Sequence, residues 1–552
     1  MRGQLSRENK DNTNYRSSAA LSSPEVIEWI FRPSRPSSHL LSCLRTFKAY
    51  PLRTFQTMGA SVAEDPVTND LTNDLSVGSS RRCETFRKRT LLLLVFLCIL
   101  ISFSLGVTTV VVPFFVADRF ARLYHGYSVS PNCSTYAAAA KPSACTAGEA
   151  DALSAAAAAA VVTHLIGLAA GPALGSISDR TGRRAPILAC LAAVVAPAAA
   201  LVFVQSRPGV DPLWFYVASA LGMGSPWMAL VLASTADAVP SSRERAASFG
   251  AIIAGIFAGY SVAPSILLVS TLFGASCISL AVAAFAFLFT YFVVPETLPD
   301  STAAAAARAT AAAAVGGFGR VPSALFRPFK DISVLFRTPV LLRLSVIAFF
   351  SAATTSGDMT FSVYYFVDTL NFTEHDIVIY FGAMGLLSIL ALLALLPPLL
   401  GAFGARDVLT FGLLGGCIQN AMYALAARGR RWRVFLALFM EVMHSMAYPL
   451  ISFLKSSNVT AQEQGITQGA LFSVKSLAGA TGPALFRAVN AAVGPREPGS
   501  MFLVGTAFLA VAAGISRGLP ERPSRESSVE EGGYEELLTP SRRGRGEVQQ
   551  AL

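Results

Sequence analysis

Residues 175 to 184 read Gly175, Ser176, Ile177, Ser178, Asp179, Arg180, Thr181, Gly182, Arg183, Arg184, a short charged hairpin set between two long apolar segments. Two nearby glycines permit a tight turn between neighbouring helices, Asp179 suits the positive end of a helix, and the arginines hold such a loop on the cytoplasmic side of a membrane. On either side of the hairpin, apolar runs recur at Leu91 to Ala117, Ala152 to Leu174, Ala185 to Val204, Leu213 to Ala236, Ala246 to Phe273 and Ala275 to Val294. After a polar gap they resume at Val340 to Val367, Ile377 to Leu400, Val408 to Ala427, Val434 to Leu454, Gln468 to Val489 and Ser500 to Ser516. Most reach the roughly 20 residues that cross about 30 Å of hydrocarbon, and the last is the shortest.

Composition agrees with a polytopic membrane protein. Of 552 residues 53% are hydrophobic and 14% charged, with a mean hydropathy of +0.51, too little charge to cover a soluble globule of this length. The net charge of +10 would suggest nucleic acid in a soluble chain, but here Lys and Arg fall mainly in alternate loops, so a lipid bilayer and not nucleic acid is the expected partner. Arg81, Arg82, Arg87, Lys88 and Arg89 precede the first run and place the N-terminus inside, and twelve crossings return the C-terminus to the same side. One loop dissents: Arg428, Arg430, Arg431 and Arg433 would face outward, which breaks the charge rule locally or means that a span is miscounted.

The expected organisation is a disordered N-terminal tail (1–89), a six-helix bundle (90–297), a cytoplasmic linker (298–339), a second six-helix bundle (340–518) and a disordered C-terminal tail (519–552). No cleavable signal peptide is visible, and Glu8, Asp11, Glu25 and Glu28 argue against an organellar transit peptide. The linker carries an alanine tract, Ala303 to Ala314, whose Arg308 favours a surface helix or open linker over a lipid span. Tyr534, Glu535, Glu536, Leu537 match the loose Tyr-x-x-apolar sorting pattern; the plasma membrane and endosomal or lysosomal membranes both stay open. Of eight cysteines, Cys98, Cys190, Cys277 and Cys417 lie in apolar runs and read as buried thiols. Cys133 and Cys145 share the first outer loop, where they either pair in an oxidising lumen or remain two thiols. Asn132 and Asn371 head glycosylation sequons in outer loops, and the sequon at Asn458 faces the cytoplasm.

The hairpin resembles the loop between helices 2 and 3 of the major facilitator superfamily, G-x-x-x-D-R-x-G-R-R/K, through Gly175, Asp179, Arg180, Gly182, Arg183 and Arg184. Asp237, Arg243, Glu244, Arg245 and the stretch Ala246 to Gly250 resemble the A-D-x-x-x-x-x-E-R-A-x-x-F-G pattern, which narrows the resemblance to the tetracycline-resistance-like and hippocampus-abundant-transcript-like branch. Gln462 to Leu485 looks most like the latter group, and Gly401, Gly404, Arg406 and Asp407 echo the hairpin in the second half. The resemblance covers about residues 90 to 518 and implies an all-α fold of twelve transmembrane helices in two six-helix bundles, with a midplane cavity and alternating access by rocking of the halves. It implies further that the cluster Arg243, Glu244, Arg245 forms ion pairs with the Asp179 hairpin that break during rocking. Gly250, Gly259 and Pro264 in span 5, with Gly479, Gly482 and Pro483 in span 11, supply close helix packing and bends. Ala263, Leu267 and Leu268 depart from the antiporter glycine motif, and Ala218 occupies the neighbourhood of its span-4 arginine, so antiport does not follow from the resemblance.

An ionisable side chain in hydrocarbon is costly unless it faces a cavity or a partner, so His164, Asp358, Glu441, His444 and Lys475 are the substrate or proton candidates. Glu441 and His444 share a helix face at a spacing of three, and a Glu441–Lys475 pair is sterically allowed, as either a structural bridge or a working site. No Walker loop, nucleophile constellation or metal-ligand cluster stands out, so neither an enzyme nor a cofactor is expected. The expected function is secondary or facilitated transport of a small organic solute by a monomer, with or without protons as coupling ion. The alternative is a transport-inactive receptor or scaffold of the same shape.

Overall fold

The computed structural model describes residues 66–128, 133, 141–239, 241–298, 332–370, 372, 374–426, 430–493, 497 and 499–520. Asn132, Asn371, the Tyr534 motif, the alanine tract and the C-terminal tail beyond Pro520 lie outside the described residues. Every apolar run read above falls on helical segments. The first half holds α1 (Pro66–Tyr124), α2 (Ser143–Thr181), α3 (Arg184–Ser206), α4 (Leu213–Met223), α5 (Trp227–Ala238), α6 (Ser242–Val262) and α7 (Leu272–Phe292). The second holds α8 (Pro339–Tyr364), α9 (Glu374–Leu390), α10 (Leu396–Ala424), α11 (Trp432–His444), α12 (Ala447–Ser457), α13 (Gln464–Val493) and α14 (Phe502–Ser516). α1 begins at Pro66, within the stretch expected to be tail.

Among the described residues nine helices are long and apolar enough to cross a membrane. One of them, Ile379–Ala424, is 46 residues long and turns back on itself where Gly404 takes φ 76°, a conformation that only glycine adopts without strain. α13 carries Gln464, Gln468 and Lys475 among its apolar residues, and Phe502–Ser516 is the shorter apolar helix of the set. Spans 4 and 10 are each broken near their middle. The first breaks between Met223 and Trp227, where Pro226 cannot donate to the ladder, and the second between His444 and Ala447.

Lipid tails are as apolar as leucine, so packing between membrane helices rests on close contact and hydrogen bonds. The halves meet through α2 against α13, α6 against α9 and α12, and α5 against α13. One buried cluster crosses this junction, uniting Leu94, Phe249 and Ile252 with Leu392, Leu396 and Leu450. All of these lie toward the end that carries the 175–184 hairpin. At the opposite end each half keeps a cluster of its own, Val107, Phe120, Leu201 and Phe215 in the first and Phe366, Tyr380, Tyr423 and Phe502 in the second. The halves are thus fused at the hairpin end and separately cored away from it.

The loops sort by end as the alternating count requires. Tyr124 donates to Asp211, joining two loops of the first half at the far end. The dissenting arginine cluster lies at the far end too: Arg431 pairs with Asp376 at 3.6 Å and lies over Phe372, and Arg433 donates to the Leu425 carbonyl. Arg431 and Arg433 thus have local partners at that end.

Cys133 and Cys145 form a disulfide with a Cα–Cα distance of 5.5 Å, buried beside Ala121 and Tyr127, which settles the open choice in favour of pairing. The bridge ties the loop after α1 to the first turn of α2. Replacing both cysteines by serine should destabilise the folded state by about 2–4 kcal/mol. A lower melting temperature of the detergent-solubilised variant, reproduced in the wild type by a reductant, is the expected readout.

Candidate functional site

The hairpin is built around Arg183, whose side chain is 1% exposed. Its Nε donates to Asp237 Oδ2 at 2.6 Å, and its Nη1 donates to Ser178 Oγ at 2.7 Å and to Asp179 Oδ1. Burial alone would lower the Arg183 pKa, but Asp237 and Asp179 outweigh it, and the guanidinium is held more firmly protonated than an ordinary arginine. Gly182 sits at φ 102° with Glu296 where a side chain would go. That turn lets Glu296 accept from the Arg183 and Arg184 amides at 2.8 and 3.1 Å, which supplies acceptors to the opening turn of α3. Arg184 reaches back to the Thr290 carbonyl, and Arg180 is exposed.

Asp179 also joins the two halves. Its two oxygens accept from the backbone N–H groups of Gly465 and Ile466, each at 2.7 Å. These are among the first amides of α13, which have no partner within their own helix, so the last turn of α2 supplies a charged acceptor to the start of α13. Below this contact the two helices touch backbone to backbone. A Cβ on Gly175 would fall on the Gly465 carbonyl, and one on Gly171 would fall on that of Gly469. Further along, Ser473 Oγ donates to the Leu168 carbonyl at 2.7 Å, and Gly479 leaves room for the His164 ring.

The described contacts of Asp179 and of Glu244 and Arg245 differ from the ion pairs expected between the 243–245 cluster and the hairpin. Asp179 is taken up by Arg183 and α13, Glu244 pairs with Arg87 at 2.9 Å, and Arg245 donates to the Val239 carbonyl and, across the halves, to Ser456 Oγ at 3.3 Å. The side chain of Arg243 lies outside the described residues. The helix-packing residues serve separate joints. Gly250 lies against Leu396 of α10, Gly259 against the α1 backbone, Gly482 against the Ala353 carbonyl of α8, and Pro264 opens a tight 3-10 segment after α6. Pro483 lies inside α13.

The intramembrane candidates do not gather at one place. Asp358 and Glu441 line one cavity with Gln419, Tyr380 and Tyr423. His444, 7% exposed, turns instead toward Gly416, because Gly412, Gly415 and Gly416 bring α10 directly against the end of α11. The Glu441–Lys475 pair does not form: the Lys475 ammonium sits 3.8 Å from the Tyr448 ring centroid, a cation–π contact in place of an ion pair. Motif reading missed Glu296, the α13 amides, Gln419, Asn420 and the fully buried Lys455, whose ammonium donates to Ser345 Oγ at 2.9 Å. Adjacent amides inside an apolar run, Gln419 and Asn420, were the signal available for the cavity.

Two bundles joined by a clasp at one end of a glycine seam define a polytopic helical protein of the transporter type. Residues 94–483 match the family described as the Major Facilitator Superfamily, and the chain belongs to it. It is 24% identical over 330 residues to the human hippocampus abundant transcript 1 protein, a match covering 59% of this chain and 63% of that one. The chain thus spans under two thirds of the length of these relatives. The class G tetracycline resistance protein of Vibrio anguillarum is 26% identical over 356 residues, 63% of this chain and 83% of that one. Among solved structures, the human organic anion transporter MFSD10 (TETRAN) superposes with a TM-score of 0.61 at 17% identity, over 78% of this chain and 99% of that one. A proton:xylose symporter, XylE, does so with a TM-score of 0.58 at 15% identity, over 79% and 97%.

The contacts inside one half and those between halves predict different phenotypes. Asp237→Asn weakens a buried ion pair within the first half and should cost about 3 kcal/mol or more of stability, seen as a large fall in melting temperature. Asp179→Asn also removes one of the two carboxylates paired with Arg183, but the guanidinium keeps Asp237, so the fall in melting temperature should be smaller than for Asp237→Asn. The Asp179 substitution should instead widen the distance distribution between spin labels at Thr181 and Gln462, two exposed positions flanking the clasp.

Proposed function

We propose that the protein is a secondary transporter that moves a small organic solute by alternating access, as a monomer in the bilayer with both termini and the 175–184 hairpin on the cytoplasmic side. The observation that carries this reading is the separation of bonds. The strong ion pairs of the clasp, Arg183 to Asp237 and to Asp179, lie within one half. Those that join the halves are hydrogen bonds to backbone or hydroxyl groups at Gly465, Ile466, Ser456 and Leu168.

Breaking the first set would expose a buried charge. Breaking the second at the aqueous end exchanges protein hydrogen bonds for water at a net cost of about 1 kcal/mol where both groups are neutral and about 1.5–3 kcal/mol where one is charged, as at Asp179. The glycine seam adds contact without side chains that must interdigitate, so the halves can part and return. The present conformation, closed at the hairpin end, is one of the two states such a cycle needs. Relatives whose names give tetracycline, xylose or organic anions as their concern support a small organic solute in general terms.

Purified protein in liposomes, assayed for uptake of a solute library with and without a pH gradient, tests the reading. Wild type should take up at least one solute, and Asp179→Asn should lower the rate tenfold or more while the protein stays folded. A response to the gradient identifies protons as the coupling ion, and gradient-independent uptake identifies a uniporter. No uptake of any solute, with wild type and variant equally folded, would overturn transport in favour of a transporter-shaped receptor or scaffold.

A further inference from the structure

Asp358 on α8 and Glu441 on α11 face a cavity of about 20 Å³ within the second half. One Asp358 oxygen accepts from Asn420 Nδ2 at 3.0 Å, while the other, Oδ1, is enclosed without a hydrogen-bond partner. Gln419 lines the same cavity and is 3% exposed. Its amide nitrogen donates to Tyr423 Oη at 3.2 Å, which leaves Oε1 enclosed and unpartnered. The enclosed atoms left without a partner on Asp358 and Gln419 are acceptors, and no Lys, Arg or His lines the cavity to answer them; the hydroxyl proton not spent between Tyr380 and Tyr423 is a neutral donor and brings no charge to set against the carboxylates. Buried acceptors without donors are costly and rare, and at membrane depth they point to a missing partner.

The walls narrow that partner's chemistry. Tyr380 and Phe381 present rings, and Met359 and Met384 present thioethers, surfaces that favour a cation carrying an apolar skirt. Among the described residues no group of three His, Cys, Asp or Glu is placed to hold a metal ion. The volume admits one water-sized group, so it holds the head of a ligand and not the whole of it.

We propose that this cavity binds the ammonium head of a protonated organic amine, so that the solute carried is a small organic cation; the inference rests on the transport reading above. The ammonium supplies three N–H donors to Asp358 Oδ1, Glu441 and Gln419 Oε1, and neutralises carboxylates that no protein cation faces.

Phenethylammonium binding to the detergent-purified full chain, measured by calorimetry against 2-phenylethanol and 3-phenylpropanoate, tests it. Wild type should bind the ammonium at least tenfold more tightly than either analogue, and both Asp358→Asn and Glu441→Gln should lose tenfold or more of that affinity. Equal binding of the alcohol or the carboxylate to wild type overturns the proposal without recourse to any variant, as does ammonium binding that both variants retain. If liposomes carry only a neutral or anionic solute and the ammonium does not bind, transport stands and the cation site falls. If the ammonium binds selectively and nothing is carried, the site stands and transport falls.

Discussion

Asp179 carries the constraint on which the rest of the arrangement depends. It sits four residues before Arg183 on the chain, pairs with it, and still presents oxygens to two amides of α13. A neutral acceptor could cap those amides. A carboxylate anchored by a buried guanidinium does so with a fixed direction and with charge, and hydrogen bonds to charged groups contribute about 1.5–3 kcal/mol. The approach needed is so close that neither helix tolerates a side chain at the crossing, which accounts for Gly175 and Gly171 on one side and Gly465 and Gly469 on the other.

The same geometry explains why the clasp can open without unfolding its owner. In the proposed cycle, withdrawal of α13 would exchange two amides on Asp179 for water, while Arg183 would keep Asp237 and Glu296 the amides that open α3. The charge that is expensive to strand is never stranded. Arg245 to Ser456 and Ser473 to Leu168 are hydrogen bonds whose groups re-form bonds to water or to their own helices. Among the described residues one buried cluster crosses the hairpin end, and it packs apolar side chains against apolar ones.

Much of the fold was legible because its constraints act over short sequence distances: apolar run length, the charge of alternate loops and the glycine spacing of the hairpin. The role of Asp179 at a helix start was readable in kind, but the first amide it caps lies 286 residues later, and no local pattern names it. Glu244 of the 243–245 cluster took a different partner for the same reason, since charge alone does not say that Arg87 lies within 2.9 Å of it. Glu441 was recognised as unusual, yet its partner was misjudged. Helical spacing orders residues on one helix, whereas the three glycines of α10 decide how α11 sits and so where Glu441 and His444 point. The dissenting arginines have a local partner, the acidic Asp376 beside Arg431, that a count of loop charges does not see.

The two halves share a backbone plan and divide the work. Gly404 repeats the positive φ of Gly182, 76° against 102°, but Arg406 pairs with its neighbour Asp407 at 23% exposure, so the second hairpin keeps the turn without the buried clasp. Conversely Asp358, Glu441, Lys455 and Lys475 all lie in the second half. α13 connects the two tasks. Its first turn is held by Asp179, its middle rests on His164 through Gly479, and Gly482 and Phe486 pack against Ala353 and Gly357 of α8. Gly357 immediately precedes Asp358. The helix held by Asp179 thus packs against the backbone next to the acidic cavity, a continuous path of contact that the proposed cycle would use if α13 shifts.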